Sequence, residues 1–284
     1  MGSKSAIADE LIANLPSGNR FVDLFGGGFA ISECALKSRK WKSILYNDIN
    51  PLLIPLIRDA INGKYNYKNF IPDFINRAEF EEKKRIDGYV KWIWSFGNDG
   101  WSYMYGREKE VLMQRGHEWV FHDVPIEGFD LDNAEKDIVT RRQYIQRYIP
   151  LRHLTRIERL AHLETLRTYM SQIKMTSMDY RDYKYQDGDV VYCDIPYQNV
   201  SSDKRESKQY NTRFNHGEFY AWAVDQKFPV YFSSYKLGTT VWEREKRIFK
   251  GGDNQLIRSE ALYCVDNNPQ HKNIYQGMLF ERKI

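Results

Sequence analysis

The stretch RFVDLFGGG, residues 20–28, joins an apolar run directly to three consecutive glycines. The run predicts a short buried strand from Arg20 to Phe25, and a helix is expected from about Ala30 to Ser38. Glycines between a strand and a helix let the main chain approach a ligand closely and leave helix N–H groups available. The alternative is a tight turn without a ligand. The loop matches neither GxGxxG nor GxxxxGK[ST], so it specifies no dinucleotide or triphosphate.

The next apolar stretch, WKSILYNDIN at residues 41–50, predicts a buried strand from Ser43 to Tyr46 that ends on Asn47 and Asp48. A helix should start near Pro51, since proline suits a first helical turn. This β-loop-α-β-acid-α order is the first half of a nucleotide-binding unit, in which an acid binds both hydroxyls of a ribose. The alternative for Asp48 is a helix cap. Together with the glycine loop, it favours a ligand of the adenosine type.

The α/β alternation stops after residue 57 and resumes after residue 170. Four later stretches predict strands: DVVYC (189–193), FPVYFSS (228–234), KRIFK (246–250) and EALYCV (260–265). We therefore expect an α/β domain of residues 1–57 and 171–284, interrupted by a mainly helical insertion of residues 58–170.

Within the insertion, glycines predict a loop from Gly97 to Gly106. The stretch GHEWVFHDVPIEGF, residues 116–129, suggests a small hairpin. An apolar stripe predicts a helix from His153 to Met170.

The composition is that of a globular protein. The chain has 284 residues, of which 28% are charged, with a net charge of +4, a mean hydropathy of −0.65 and a pI of about 8.7. No apolar run approaches the roughly 20 residues that span a bilayer, and the first residues do not resemble a secretion signal. Three separated cysteines predict neither a disulfide framework nor a zinc site, and we expect a reducing cytoplasm. The mild positive charge permits a polyanionic partner.

A second acid ends a core strand in VVYCDIPYQN, residues 190–199. A carboxylate there is costly unless it has a partner. Asp194 and the carbonyl oxygen of Ile195 can accept hydrogen bonds from one planar amine, while Tyr197 stacks on its ring. The alternative is a strand followed by an Ile-Pro turn.

These motifs carry a resemblance to a known family. DIPY resembles the DPPY signature of amino-methyltransferases that use S-adenosylmethionine, FVDLFGGG resembles their cofactor loop, and NDIN resembles their ribose-binding strand. The motif order, with GSK at residues 2–4, is similar to that of Dam-like adenine-specific DNA methyltransferases. The resemblance covers most of the chain. It implies a Rossmann-like sheet, S-adenosylmethionine as cofactor, double-stranded DNA as partner, no metal, and methylation of adenine N6.

The resemblance also implies roles for individual residues. The cofactor-binding residues would be Ser3, Lys4, Asp23, Phe25, Gly26, Gly27, Asp48 and Asp179. The catalytic residues would be Asp194, Ile195, Pro196 and Tyr197. Ile195 replaces the first proline of the signature. We expect the replacement to be tolerated, because the slot uses the carbonyl oxygen and Pro196 still favours an extended residue 195.

The insertion supplies a predicted DNA surface. The stretch at residues 140–160, TRRQYIQRYIPLRHLTRIERL, is rich in arginine and contains one acid. Arg141, Arg142 and Arg147 are expected on phosphates, with Tyr144 as a stacking surface. A solvated helix face is the alternative. GNDGWSYMYGR, residues 97–107, lies where relatives carry a DNA-probing segment.

Two other functions stay open at this point. The same slot suits the amine of cytosine, which would give N4 methylation. A non-catalytic DNA-binding protein with a vestigial cofactor pocket is the other, although the two acids Asp48 and Asp194 weigh against it. The DNA target sequence and any partner restriction endonuclease are also open.

Overall fold

The computed structural model describes residues 7–127, 137–196, 214–235, 242–248 and 256–266. The chain divides into two compact units. The sheet unit comprises Gly2–Ile54 and Ser171–Ile284, and the helical unit comprises Pro55–Met170.

The sheet unit is built on one mixed sheet. Its strands in the described ranges are β1 (Arg20–Asp23), β2 (Ser43–Asn47), β3 (Ile173–Thr176), β4 (Asp189–Cys193), β5 (Val230–Tyr235), β6 (Trp242–Ile248) and β7 (Leu256–Val265). Their spatial order is β3-β2-β1-β4-β5-β7-β6. Neighbours from β3 to β5 pair in parallel, and β7 runs antiparallel to both β5 and β6. The predicted Rossmann-like α/β fold is therefore confirmed.

Helices in the described ranges connect these strands or form the helical unit. They are α1 (Ala8–Asn14), α2 (Ala30–Ser38), α3 (Leu53–Ile61), α4 (Arg77–Lys83), α5 (Gly88–Ile93), α6 (Arg107–His122), α7 (Ile138–Ile145), α8 (Arg152–His162) and α9 (His216–Asp225). None of the helices in these ranges is long and apolar enough to cross a membrane.

An ion pair closes the amino-terminal end of the two central strands. The guanidinium of Arg20 donates to both carboxylate oxygens of Asp189, at 2.9 and 2.7 Å. Tyr183 donates its hydroxyl to the same carboxylate. All five residues of β4 are buried. Structural contacts therefore occupy this end of the sheet. The candidate functional side chains lie at the opposite, carboxyl-terminal end of the strands.

The predicted hairpin at residues 116–129 is wrong. Residues 107–122 form the single helix α6, in which Met113, Gly116, His117 and Val120 are buried. These positions repeat at three and four residues, which is the period of one helix face. The stretch that suggested a hairpin begins at residue 116, in the middle of α6. It left out the charged residues at the start of the helix, which belong to the exposed face of α6. The helix predicted from His153 to Met170 is α-helical only to His162 and continues as a 3₁₀ helix, Leu163–Gln172.

A buried chain of hydrogen bonds holds the core of the helical unit. The Tyr105 hydroxyl lies 2.7 Å from His153 Nδ1, His153 Nε2 lies 3.0 Å from His117 Nδ1, and His117 Nε2 lies 2.8 Å from the carbonyl oxygen of Pro72. Because a carbonyl oxygen only accepts, the proton of His117 sits on Nε2, and His153 then donates to Nδ1. Burial lowers the pKa of His117 to about 4 and that of His153 well below its ordinary value, so both rings are neutral and fully bonded.

Candidate functional site

The register of the parallel strands brings three acids to one edge of the sheet. Asp23, the last residue of β1, lies opposite Tyr46 in β2 and Tyr192 in β4. An acid stands two residues beyond each of these positions: Asp48 directly follows β2, and Asp194 directly follows β4. Ligands of open α/β sheets bind at this carboxyl edge.

The glycine loop is fixed to the end of β2. Gly26 donates its N–H to the carbonyl oxygen of Asn47 at 2.8 Å, and the Tyr46 hydroxyl donates to the carbonyl oxygen of Gly27 at 2.7 Å. A Cβ on Gly26 would lie 2.2 Å from the Tyr46 ring, so packing in the protein demands this glycine. Gly27 has a φ of +48°, which favours glycine for conformational reasons. The loop thus owes Gly26 and Gly27 to its own architecture, and Gly28 is its solvent-exposed residue.

Asp48 joins the two predicted motifs directly. Its Oδ2 accepts the N–H of Gly27 at 3.0 Å, and its Oδ1 accepts the N–H of Asn50 at 2.8 Å. Burial raises the pKa of Asp48, while these two hydrogen bonds act in the opposite direction. Just before α3, it is the side chain of Asn50 that accepts a main-chain N–H, that of Leu52 at 3.1 Å. A carboxylate has about four acceptor positions, so Asp48 keeps capacity for two further donors.

Asp23 is a buried carboxylate at the end of β1. Its Oδ2 accepts the hydroxyl of Ser32 at 2.8 Å, whereas its Oδ1 is buried and lacks a hydrogen bond of normal geometry. Burial raises the pKa of Asp23 from its ordinary value of 3.8 to about 7. The carboxylates of Asp194 and Asp48 add to this rise, and hydrogen bonding to Ser32 and Phe25 opposes it. A buried acid held among two others is suited to a bound cation.

Asn47 organises this edge, a role that no local sequence pattern indicates. Its amide nitrogen donates to the carbonyl oxygens of Leu24 and Met178, both at 3.0 Å. Its amide oxygen accepts the Thr176 hydroxyl at 2.9 Å and the Met178 N–H at 3.0 Å. The side chain is fully buried. It therefore ties together the segments that leave β1, β2 and β3.

Asp194 is held by β5. The hydroxyl of Ser233 donates to Asp194 Oδ1 at 3.2 Å, and the hydroxyl of Tyr192 lies 2.8 Å from Ser233 Oγ. Both Tyr192 and Ser233 are fully buried. Ser233 is a further residue that sequence reasoning missed, because its partner lies 39 positions away.

Ile195 and Pro196, the other described residues of the tetrapeptide DIPY (residues 194–197), are also held in place. Ile195 is 1% exposed and packs in the hydrophobic cluster that contains Val22, Leu24 and Phe232. Its side chain therefore contributes to the core, in addition to the carbonyl oxygen expected from the sequence. The carbonyl oxygen of Pro196 lies 2.6 Å from His216 Nε2. Tyr197, like Ser3 and Lys4, lies outside the described residues.

Phe25 lies beside an aromatic cluster next to the glycine loop. Its ring centroid is 5.4 Å from Tyr180, 5.6 Å from Phe214 and 6.1 Å from Phe219. The ring is partly buried, so it is available to an apolar ligand surface only in part.

Asp179 follows β3 and forms a two-pronged pair with Arg181. The guanidinium of Arg181 donates to both carboxylate oxygens, at 2.8 and 2.7 Å, and these hydrogen bonds lower the pKa of Asp179. Arg181 is itself exposed. A ligand amine that uses Asp179 must therefore share its carboxylate with this guanidinium.

The arginines predicted to contact DNA differ in their surroundings. Arg141 donates to the carbonyl oxygen of Trp119 at 3.2 Å and to Asp123 at 3.0 Å. Arg142 forms an ion pair with Glu158. Both contacts lie inside the helical unit, whereas Arg147 is exposed. Tyr144 is partly buried, and its ring lies 5.5 Å from that of Tyr148.

Arg156, in the same stretch, has a structural role. Its guanidinium donates to the carbonyl oxygens of Trp92, Ile93 and Ser95 at the end of α5. The following loop is closed by a bridge between Ser95 and Tyr103. Two large side chains of this loop are exposed, Phe96 by 56% and Trp101 by 43%. Trp101 belongs to the segment GNDGWSYMYGR and Phe96 directly precedes it, so the loop presents two aromatic rings to the solvent.

Together the described residues fit an adenosine-type ligand with a positive charge. Asp48 offers acceptors for hydroxyls beside the glycine loop, and the buried carboxylate of Asp23 lies at the same edge of the sheet. No group of His, Cys, Asp or Glu side chains in the described parts of the chain is arranged to hold a metal ion.

Comparison with known proteins shows what this chain is similar to. Residues 1–125 match the family model of D12 class N6 adenine-specific DNA methyltransferases. The retron Ec67 DNA adenine methylase of Escherichia coli is 27% identical over 208 residues, which cover 71% of this chain and 63% of that protein. The chain thus spans less than two thirds of the length of this relative. The resemblance predicted from the sequence is confirmed by both findings.

The raised pKa of Asp23 predicts how stability depends on pH. Between about pH 4 and about pH 7, the folded protein keeps a proton on Asp23 that the unfolded chain has lost. The contribution of Asp23 is therefore present below about pH 4 and is lost as the pH rises to about 7. Denaturant unfolding should show the wild type losing stability relative to Asp23→Asn across this range. Parallel curves for the two proteins would show that Asp23 does not titrate with a raised pKa.

Proposed function

We propose that this chain is an S-adenosylmethionine-dependent DNA methyltransferase that methylates the N6 amine of adenine in double-stranded DNA, acting in the cytoplasm. The sheet unit is the catalytic part, and the helical unit is the target-recognition part. The observation that carries the proposal is the meeting of the glycine loop, Asp48 and Asp194 at one sheet edge. The family match and the methylase relative support adenine as the base.

The cofactor is assigned to the first and second strand ends. Asp48 accepts hydrogen bonds from the ribose hydroxyls, and the main chain of Gly26 and Gly27 borders the methionine part. Asp23, a buried carboxylate at the same edge, balances the positive charge. When bound, S-adenosylmethionine supplies a methyl group activated by its sulfonium centre.

The target base is assigned to the end of β4. The carboxylate of Asp194 and the carbonyl oxygen of Ile195 each accept a hydrogen bond from the N6 amine. These two hydrogen bonds direct the nitrogen lone pair out of the base plane. Tyr197 stacks on the base. Ser233 fixes the carboxylate through its hydrogen bond. The rate gain comes mainly from positioning of the amine and from exclusion of water.

Methylation of an amine inside a duplex requires the base to leave the stack, at a cost of a few kcal/mol. Contacts to the DNA backbone hold the protein in place while this happens. In the helical unit we assign these contacts to exposed arginines, namely Arg147, Arg152 and Arg159. Arg152 and Arg159 lie seven residues apart on α8, which is about two turns, so they share a face. Arg141 and Arg142 serve contacts within the unit first.

The proposed reaction is tested by incubating the protein with labelled S-adenosylmethionine and duplex DNA, followed by mass spectrometry of the digested nucleosides. We expect N6-methyladenine as the product. If N4-methylcytosine is the only product, the protein methylates the amine of cytosine and not that of adenine. DNA binding without any methyl transfer would identify a non-catalytic DNA-binding protein.

Replacement of Asp48 tests the cofactor site. Asp48→Ala should weaken S-adenosylmethionine binding at least about tenfold, because a hydrogen bond to a charged group contributes about 1.5–3 kcal/mol. Calorimetry measures the affinity, and circular dichroism checks the fold. Asp187→Asn is the control, since this exposed acid precedes β4 at the opposite end of the sheet. Equal affinity of the Asp48→Ala and wild-type proteins would place the cofactor elsewhere.

The DNA surface is tested by the salt dependence of binding. Replacing Arg147, Arg152 and Arg159 with alanine should weaken binding and flatten the slope of log affinity against log salt by about one unit per lost contact. Arg115→Ala is the control for an exposed arginine elsewhere in the helical unit. If the triple variant keeps the wild-type slope, the DNA lies on another surface.

A further inference from the structure

His216 contacts the tetrapeptide that holds the target base, although it belongs to none of the sequence motifs. Its Nε2 lies 2.6 Å from the carbonyl oxygen of Pro196, and the two residues are 20 positions apart. A carbonyl oxygen only accepts, so Nε2 carries a hydrogen and donates it. Both the neutral Nε2–H ring and the protonated ring make this contact.

The His216 ring is held by the helix it begins and by its neighbours. It is the first residue of α9, whose N-terminus is capped by the Asn215 side chain accepting the N–H of Glu218 at 3.2 Å. The Phe214 ring packs edge-on against it, with the centroids 4.9 Å apart. Phe214 in turn packs at 5.6 Å against Phe25, which directly follows β1. The donor nitrogen therefore has a fixed position relative to the carboxyl edge of the sheet.

The contact removes the remaining main-chain freedom of the tetrapeptide. The ring of Pro196 fixes its φ near −65°, so a hydrogen bond to its carbonyl oxygen fixes ψ. Asp194 is held by Ser233, and Ile195 is held by its buried side chain. The three described residues are thus restrained in three different ways, and His216 supplies the restraint at the end that leads to Tyr197.

We infer that His216 is a positioning residue for methyl transfer, which acts through the Pro196 carbonyl oxygen to orient the peptide groups of the base slot. The inference rests on the proposed function. It differs from a purely structural role in one respect: a hydrogen-bond donor at this place, and not the volume of the ring, sustains the rate of methyl transfer.

Two variants separate the donor from the ring. His216→Phe keeps an aromatic ring and removes the donor, whereas His216→Gln keeps an N–H donor and removes the ring. We expect His216→Phe to lower kcat about tenfold or more with an unchanged Kd for S-adenosylmethionine, and His216→Gln to recover most of the rate. A wild-type rate in His216→Phe overturns the inference, and so do equally low rates in both variants. An unfolded His216→Phe protein also overturns it, since His216 would then serve the fold.

A measurement on the wild-type protein tests the contact itself without a substitution. The ¹⁵N chemical shifts of the His216 ring should show Nε2 protonated at neutral pH. A ring protonated on Nδ1 alone overturns the inference. Because this readout needs no DNA, it stays informative if the wild type fails to methylate adenine, an outcome that would refute the proposed function instead.

Discussion

The in-register parallel pairing of β1 with β2 and β4 is the constraint on which the site depends. It places Asp23 beside the ends of both neighbours and so brings Asp48 and Asp194 to the same edge. Burial raises the pKa of Asp23 to about 7, and the nearby carboxylates of Asp194 and Asp48 add to the rise. Such an arrangement costs stability in the free protein, and a positively charged ligand offsets that cost. The negative charge of this edge is therefore complementary to the positive charge of the proposed cofactor.

Buried polar contacts keep this edge in shape. The Asn47 amide bonds Leu24 after β1, and Thr176 and Met178 at the end of β3. Asp48 accepts the main-chain N–H of Gly27. Ser233 and His216 hold the tetrapeptide from β5 and α9. A buried polar group without a partner costs about 1–3 kcal/mol, so each of these side chains favours one arrangement over others.

The sequence predicted what is encoded locally. The apolar run before the glycines and the acid after β2 each depend on neighbouring residues, and β1, β2 and the α2 helix appear where those patterns placed them. Strand β3 was not predicted. The hairpin at residues 116–129 was wrong because the quoted stretch divided helix α6. Roles that depend on distant partners left no local pattern: Asn47 acts through Met178, and His216 acts through Pro196. The ion-pair partners of Arg141 and Arg142, Asp123 and Glu158, also left no local pattern, and the contribution of these two arginines to DNA binding stays a prediction.

The most direct test of the central claim compares two ligands that differ only by the transferred methyl group and its charge. S-adenosylmethionine carries a sulfonium, and S-adenosylhomocysteine carries a neutral sulfide, while the ribose, base and amino acid parts are shared. Calorimetry from about pH 6 to about pH 8 should show the affinity ratio shifting in favour of S-adenosylmethionine as Asp23 loses its proton. The shift should be absent in Asp23→Asn. A ratio that stays constant across this range in the wild-type protein would contradict the account.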